Sequence, residues 1–248
     1  MKAMVLAAGE GTRLRPFTLH TPKSMLPVSG HPTLEWILVW LRFHGIREIV
    51  VNLHHHAGAV MSYFGDGGPW GVQLTYSVEP VILGTAGGVK RMERFFCAPF
   101  VVVYGDVLTD LDLGQLIRFH RSQGDEPHAT LSLYRVPNPQ ECGIVSVDAG
   151  HRVTRFVEKP SPDQTFSDLA NAGVLIVDPP LLAHVPLDGF SDIATDLLPC
   201  LLRQGVPVYA QPIEKSVYLI DIGSPEKYER VQREWPTSLA ARSMQGKN

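Results

Sequence analysis

Residues 9–23 read GEGTRLRPFTLHTPK. Gly9 and Gly11 let backbone N–H groups approach an anion closely. Arg13 offers a planar fork of donors matched to phosphate oxygens, and Lys23 adds a point charge. Pro16, Pro22 and Pro27 stiffen the path around them, so the two cations can be fixed relative to each other. The chemistry suggested is the holding of a phosphate. Neither familiar phosphate-binding formula fits. A dinucleotide loop wants GxGxxG and an acid at the end of the second strand, but Leu14 takes the place of the third glycine and Asn52 that of the acid. A P-loop wants GxxxxGK[ST], which the stretch lacks. Alone, such a loop is as readily a plain turn with two surface cations.

Other stations carry chemistry of their own. Asp106 follows the apolar run PFVVVYG, and Asp221 follows VYLI; ligands of open α/β sheets gather at such strand ends. One aspartate there is often a cap or turn former. Two, on strands that can be neighbours, read as a pair of oxygen ligands for Mg²⁺, which needs few protein oxygens beside phosphates. Small residues at Gly84, Thr85, Ala86, Gly87 and Gly88 mark a helix start that a base or sugar can approach, or simply a glycine-rich helix start. Glu158 and Lys159 precede Pro160 and, alone, are an ordinary surface ion pair.

These residues need elements to position them. Residues 2–7, 47–53, 72–78 and 99–106 read as strands, the third by its alternation of Val72, Leu74, Tyr76 and Val78. Leu34, Ile37, Leu38 and Leu41 set a helix that stops at Gly45, with Trp36 and Trp40 widening its apolar face. Strand, helix, strand is the rhythm of a parallel sheet covered by helices. Past residue 125 close-spaced strands suggest antiparallel additions to a mixed sheet. A helix over 192–203 and a last one opening at Ser224-Pro225-Glu226 complete the pattern. No internal repeat or linker is visible, and no hexapeptide repeat follows the last helix. The expectation is one catalytic domain over 1–235 and a polar tail over 236–248.

The 248 residues, 44% hydrophobic, suffice for a large α/β core. Net charge is -3 with no long basic run, so neither nucleic acid nor a membrane surface is expected as a partner. Cys97, Cys142 and Cys200 are odd in number and far apart, which suggests reduced thiols in a cytoplasmic protein. No signal peptide opens the chain, and no apolar run reaches the ~18 residues of a membrane span.

The stretch from Leu6 to Val28 resembles the N-terminal signature GxGTRLxPxTxxxPK of the sugar-1-phosphate nucleotidyltransferases. Gly9, Gly11, Thr12, Arg13, Leu14, Pro16, Thr18, Pro22 and Lys23 match it; Ser24 stands where members often have proline. LGTAG (83–87), GDV (105–107), ECGIVSVD, EKP (158–160), NAGVLIVDP and DIG (221–223) follow in family order, covering residues 6 to about 228. The resemblance implies a Rossmann-like three-layer α/β/α fold with a mixed, mainly parallel central sheet. It implies that Leu6, Ala8, Gly9, Gly11, Thr12, Arg13, Lys23, Glu79, Gly84, Thr85 and Ala86 bind the nucleotide. It implies that Gly105, Gly143, Glu158, Lys159, Asn171 and Gly173 bind the sugar phosphate, and that Asp106 and Asp221 hold Mg²⁺. Arg13, Lys23 and Asp106 would be the catalytic trio.

The implied reaction joins a nucleoside triphosphate and a sugar 1-phosphate into an NDP-sugar, releasing pyrophosphate. The motifs look most like mannose-1-phosphate guanylyltransferases, hence GTP and mannose 1-phosphate. Thymidylyl or uridylyl transfer to glucose 1-phosphate or an amino-sugar 1-phosphate stays open, as does a catalytically silent regulatory homologue. Monomer and homo-oligomer are equally open. His54–His56 read as a loop or helix start, Asp110 and Asp112 as turn and cap residues, Asp192 as a helix cap, and Glu10 as solvent-facing or a neighbour of the metal.

Overall fold

The computed structural model describes residues 1–235; the polar tail expected over 236–248 lies outside the described residues. In chain order the elements are β1 (Ala3–Leu6), α1 (Thr33–Phe43), β2 (Glu48–Leu53), α2 (Ala57–Phe64), β3 (Gln73–Val78), α3 (Gly84–Arg91), β4 (Phe100–Tyr104) and β5 (Val107–Thr109). Then follow α4 (Leu113–Ser122), β6 (Ala129–Arg135), β7 (Gly143–Val147), β8 (Val153–Glu158), β9 (Leu169–Val177), α5 (Leu198–Arg203), β10 (Val208–Pro212), β11 (Leu219–Asp221) and α6 (Pro225–Glu234). The chain divides into two compact units, and the division falls inside β4 and again after Leu111 and Lys215.

The first unit holds residues 1–82, 103–111 and 216 onward. Its β1, β2 and β3 are parallel and in register, with Leu6 beside Asn52 and Asn52 beside Ser77. Ala3, Met4, Val5, Ile49, Val50 and Val51 are fully buried, as the apolar runs require of strands covered on both faces. α1 buries Leu34, Trp36, Ile37, Leu38, Trp40 and Leu41, so its apolar band is wide. Its two indoles do not strand a donor: Trp36 Nε1 donates to Val28 O at 2.9 Å and Trp40 Nε1 to Leu111 O at 3.0 Å. The helix stops at Gly45, whose φ of 80° lets the Ile46 N–H reach back to Leu41 O. β5 and β11 form an antiparallel two-stranded ladder that places Asp221 opposite Val107.

The second unit holds residues 83–102 and 112–215. β6 pairs antiparallel with β9 and parallel with β10, and β7 pairs antiparallel with β8. This is the mixed texture expected past residue 125. Leu131, Leu133, Ile144, Val145, Val174 and Ile176 form its buried interior.

Three local features depart from the sequence reading. The alternation in β3 breaks at its end: Ser77 is buried while Val78 is 42% exposed. Two helices, α2 and α4, were anticipated only by their starts, at His54–His56 and at the Asp112 cap. α4 buries only Leu113, Leu116 and His120 along one stripe, and Asp112 caps it by accepting from the Gln115 N–H at 3.2 Å. The helix expected over 192–203 begins as a π turn over Ile193–Leu197 before α5. Pro199 has no N–H to give to the carbonyl four residues back, and the Leu197 N–H reaches Asp192 O, five back.

Candidate functional site

The loop after β1 is built around Gly11. Its φ is 66°, and a side chain there would meet Thr18 Cγ2 at 2.9 Å and Lys23 Cβ at 3.3 Å. Thr18, buried, donates through Oγ1 to Gly11 O at 2.8 Å and staples the loop shut. Thr12–Leu14 and Lys23–Met25 are short 3₁₀ turns, with Leu14 plugged into the core and Thr12 and Arg13 exposed. Gly9 is exposed with open space around it. Ala8 is buried, so its backbone is what can serve a ligand, and Leu6 is half-buried.

Lys23 meets Asp106 directly, Nζ to Oδ2, in an ion pair that leaves each side chain about a fifth exposed or less, 17% and 22%. Burial alone would raise the Asp106 carboxyl, but the Lys23 ammonium, with Arg13 nearby, holds it below the usual carboxylate range. Gly105 gives Asp106 its place: the Gly105 N–H donates to Leu6 O at 2.9 Å, and a side chain at 105 would strike that oxygen at 2.7 Å. Asp221 is drawn beside Asp106 by the β5–β11 ladder, where the Ile222 N–H donates to Asp106 O at 2.9 Å. Arg13 reaches the same corner, since a methyl on Gly223 would lie 3.4 Å from its guanidinium. The first unit thus assembles Arg13, Lys23, Asp106 and Asp221, which the sequence placed apart. Two carboxylates on adjacent strands are hard oxygen donors of the kind Mg²⁺ takes, so the residues fit that ion.

Glu79 sits at the end of β3, 1% exposed, and accepts from Asn52 Nδ2 at 2.8 Å. Asn52 Oδ1 in turn accepts the Ala7 N–H at 2.7 Å. Asn52 had registered in the sequence only as a missing ribose acid. It ties together the ends of β1, β2 and β3, a task that needs one donor and one acceptor and that aspartate cannot perform. Lys227 was missed altogether: its Nζ lies 2.5 Å from Asp221 Oδ2. The trace in the sequence was a lysine in the first turn of a helix, where a cation opposes the helix dipole. His54–His56 form the turn into α2, as expected, with His56 at φ 53°.

The second unit shapes its residues differently. Gly84 opens α3 at φ 77°, and a side chain there would meet Ser191 O at 2.3 Å. The Ala86 and Gly87 N–H groups both donate to that oxygen at 2.9 Å. Thr85 Oγ1 donates to Asp192 Oδ2 at 2.7 Å, while Asp192 Oδ1 caps the π turn through the Ala194 N–H at 2.8 Å. Asp192 is therefore the cap expected and also fixes Thr85. Glu158 lies opposite Gly143 on the β7–β8 pair, and its Oε2 fills the space a side chain at 143 would need. Burial lifts the Glu158 carboxyl above its ordinary range; Lys159 opposes the shift and Asp192 adds to it. Lys159 is exposed and left-handed, with φ 47°. Asn171 and Gly173 mark an irregularity in the β6–β9 register, where Asn171 Oδ1 accepts the Gly173 N–H at 3.1 Å.

One more group has metal-ligand types: His120, His128 and Asp178, with ligand atoms within 4.8 Å of one another. Its ring nitrogens have protein partners. His120 Nδ1 is 2.9 Å from Thr130 Oγ1, and His128 Nδ1 and Nε2 are 2.7 and 3.0 Å from the carbonyls of Glu126 and His120. It is a hydrogen-bonded network inside the second unit.

A mixed, mainly parallel α/β sheet with its glycine-bounded loops and strand-end aspartates defines a nucleotidyltransferase fold. Solved structures similar to it say the same. One described as a glucose-1-phosphate thymidylyltransferase from Bacillus anthracis has a TM-score of 0.84 at 25% identity, covering 97% of this chain and 95% of that one. HddC from Yersinia pseudotuberculosis, complexed with GMP-PN, has a TM-score of 0.78 at 25% identity, covering 94% and 99%. The nucleotidyl transferase family profile matches residues 2–238, and the chain belongs to that family. Several of its relatives are named as sugar-1-phosphate nucleotidyltransferases. A UTP–glucose-1-phosphate uridylyltransferase of Synechocystis sp. is 38% identical over 92% of this chain and 61% of that protein. A mannose-1-phosphate guanylyltransferase of Mycobacterium tuberculosis is 35% identical over 92% of this chain and 62% of that protein. The chain thus spans about three fifths of the length of these relatives. Among the described residues no helix is long and apolar enough to cross a membrane.

Proposed function

We propose that residues 1–235 are a catalytic domain that transfers a nucleoside monophosphate from a triphosphate to a sugar 1-phosphate. The observation that carries the reading is the first unit's cluster: Lys23 on Asp106, Arg13 beside them, and Asp221 on the adjoining strand. A phosphate oxygen of the sugar 1-phosphate attacks the α-phosphorus in line. The new O–P bond forms as the bond to the β-phosphate oxygen breaks, and pyrophosphate leaves. The attacking phosphate is already ionised at neutral pH, so no general base or covalent intermediate is needed.

The obstacle is the meeting of two polyanions, and alignment with charge neutralisation removes it. Arg13 and Lys23 hold the triphosphate and stabilise the charge growing on the departing pyrophosphate. The N–H groups of the Gly9–Thr12 loop follow the phosphates, backed by Leu6 and Ala8. Glu79 and Gly84–Ala86 serve the base and ribose. Gly105, Gly143, Glu158, Asn171 and Gly173 serve the sugar, and Lys159 positions its phosphate. Mg²⁺ on Asp106 and Asp221 would supply charge neutralisation across the phosphates.

For the substrates we propose GTP and mannose 1-phosphate, supported by motif likeness and by the relatives named mannose-1-phosphate guanylyltransferase or guanyltransferase. Uridylyl transfer to glucose 1-phosphate is the second reading, favoured by the name of the 38% identical relative. Cys97, Cys142 and Cys200 are thiols rather than disulfides, which suits the cytoplasm. A matrix of GTP, UTP, dTTP and ATP against mannose, glucose and amino-sugar 1-phosphates, read by pyrophosphate release, tests the reading. GTP with mannose 1-phosphate is expected to be the best pair. Absence of release from every pair would favour a silent homologue.

A further inference from the structure

Each aspartate of the proposed metal pair already carries a lysine. Lys23 on Asp106 belongs to the phosphate-holding loop. Lys227 on Asp221 belongs to no motif that the reaction uses, and it sits in the first turn of α6, close behind the Ser224 cap. A cation there works against the helix dipole, so the helix itself has no use for it. The two oxygens of Asp221 are divided. Oδ1 accepts the Gly223 N–H at 3.0 Å, which fixes the carboxylate from its own turn. Oδ2 faces the Lys227 ammonium at 2.5 Å. The orientation of Asp221 thus does not depend on Lys227, and the ammonium occupies the oxygen left for a cation.

We infer that Lys227 competes with the divalent cation at Asp221. Its ammonium pairs with the oxygen that the ion would need and compensates one of two neighbouring carboxylates. It must give up Oδ2 when the ion binds. Together with Arg13 and Lys23 it makes three cations against two carboxylates in one corner of the first unit. The released ammonium then adds to the positive charge that faces an incoming phosphate. This inference rests on the proposed Mg²⁺ role of Asp106 and Asp221.

The test is direct binding of Mn²⁺ to the full chain, read by the electron paramagnetic resonance of free Mn²⁺, with Mg²⁺ competition. Lys227→Met is expected to tighten Mn²⁺ about two- to five-fold, the range of a part-exposed ion pair removed from competition. Lys227→Arg, which keeps the charge, should bind like wild type. Unchanged or weaker binding in Lys227→Met overturns the inference. Asp221→Asn, added to either background, should abolish the difference. If Mn²⁺ binds neither wild type nor Lys227→Met, the metal reading of the two aspartates fails along with it; if Mn²⁺ binds and Lys227→Met changes nothing, the metal reading stands and only this inference is lost.

Discussion

The first unit sets its charged candidate residues by ion pairs, and the second sets its candidates by backbone turns and directed hydrogen bonds. In the first, Lys23 holds Asp106 and Lys227 holds Asp221. In the second, Ser191 O closes on the Gly84 turn, Asp192 holds Thr85, and the Lys159 backbone is bent into a left-handed conformation. The difference matches the tasks proposed for them. Phosphates are recognised by charge, while a sugar and a base are recognised by close approach and directed hydrogen bonds. It also makes the two units fail in different ways when a residue is changed.

The largest expected effect is in the charge-paired unit. Lys23→Ala should lower kcat/KM for NDP-sugar formation by about 10²–10³-fold, the usual loss when one donor to a developing anion is removed. The chain should still fold, because the Asp106 carboxylate keeps some contact with solvent. Steady-state pyrophosphate release with circular dichroism on the same sample checks both statements. A loss smaller than tenfold would mean that charge on this loop is not what the first unit contributes.

Next come two glycines, one from each unit, that are kept for different reasons. Gly84→Ala needs a side chain at φ 77° and 2.3 Å from Ser191 O. It should cost about 2–4 kcal/mol in urea unfolding, combining left-handed strain with overpacking. Gly9→Ala meets no atom within 4 Å and no positive φ. Its stability should stay within about 0.5 kcal/mol of wild type while its KM for the triphosphate rises. Equal stability losses in both variants would erase the contrast between a glycine kept for a ligand and one kept for the fold.

That contrast shows why the sequence was legible in some places and opaque in others. The β1 and β4 runs, α1 and its stop at Gly45, and the strand-end position of Asp106 follow from local pattern, so they could be read directly. The nearness of Asp221 to Asp106 was only a possibility, because the β5–β11 ladder joins segments more than a hundred residues apart. Asn52 was read as an absence, since nothing local shows that its amide bridges Ala7 and Glu79. Lys227 looked like any polar residue of an exposed helix. α2 was marked only by its start, because AGAVMSYF, with three small residues at its beginning, buries only Val60 and Phe64. Side-chain partners from distant segments are what pattern cannot supply.

A smaller effect tests whether charge pairing in the second unit serves the fold alone. Burial would raise the Asp178 carboxyl, but its hydrogen bonds with His120 and the His128 N–H, and the nearby rings, hold it below the ordinary value. A carboxyl lowered in the folded state stabilises the protein fully above its unfolded value of about 3.9, and that stability is lost as the pH falls through the folded value. Asp178→Asn should cost about 1–3 kcal/mol at neutral pH. The gap to wild type should shrink in urea titrations as the pH drops from about 5 toward 3. NDP-sugar formation at saturating substrate should be unaffected. A gap that is constant with pH would show that packing, not charge, is what Asp178 supplies.

The smallest effect joins the two halves of the comparison in one residue. Lys159 is a cation proposed for a phosphate, yet it lies in the unit built from backbone shape. Its N–H donates to Cys142 O at 3.0 Å, in a conformation with φ 47° that a lysine does not favour. Strain of this sort persists where surrounding structure holds it, and it collects at functional positions. Glycine adopts the conformation freely but brings no charge. Lys159→Gly should therefore gain about 0.5–1 kcal/mol of stability, once the greater freedom of the unfolded glycine chain is set against the relieved strain. The same variant should raise KM for the sugar 1-phosphate and leave KM for the triphosphate near wild type. A variant that is less stable would show the backbone there to be unstrained. One with unchanged sugar-phosphate KM would show that the strain at Lys159 holds no ligand-binding charge in place.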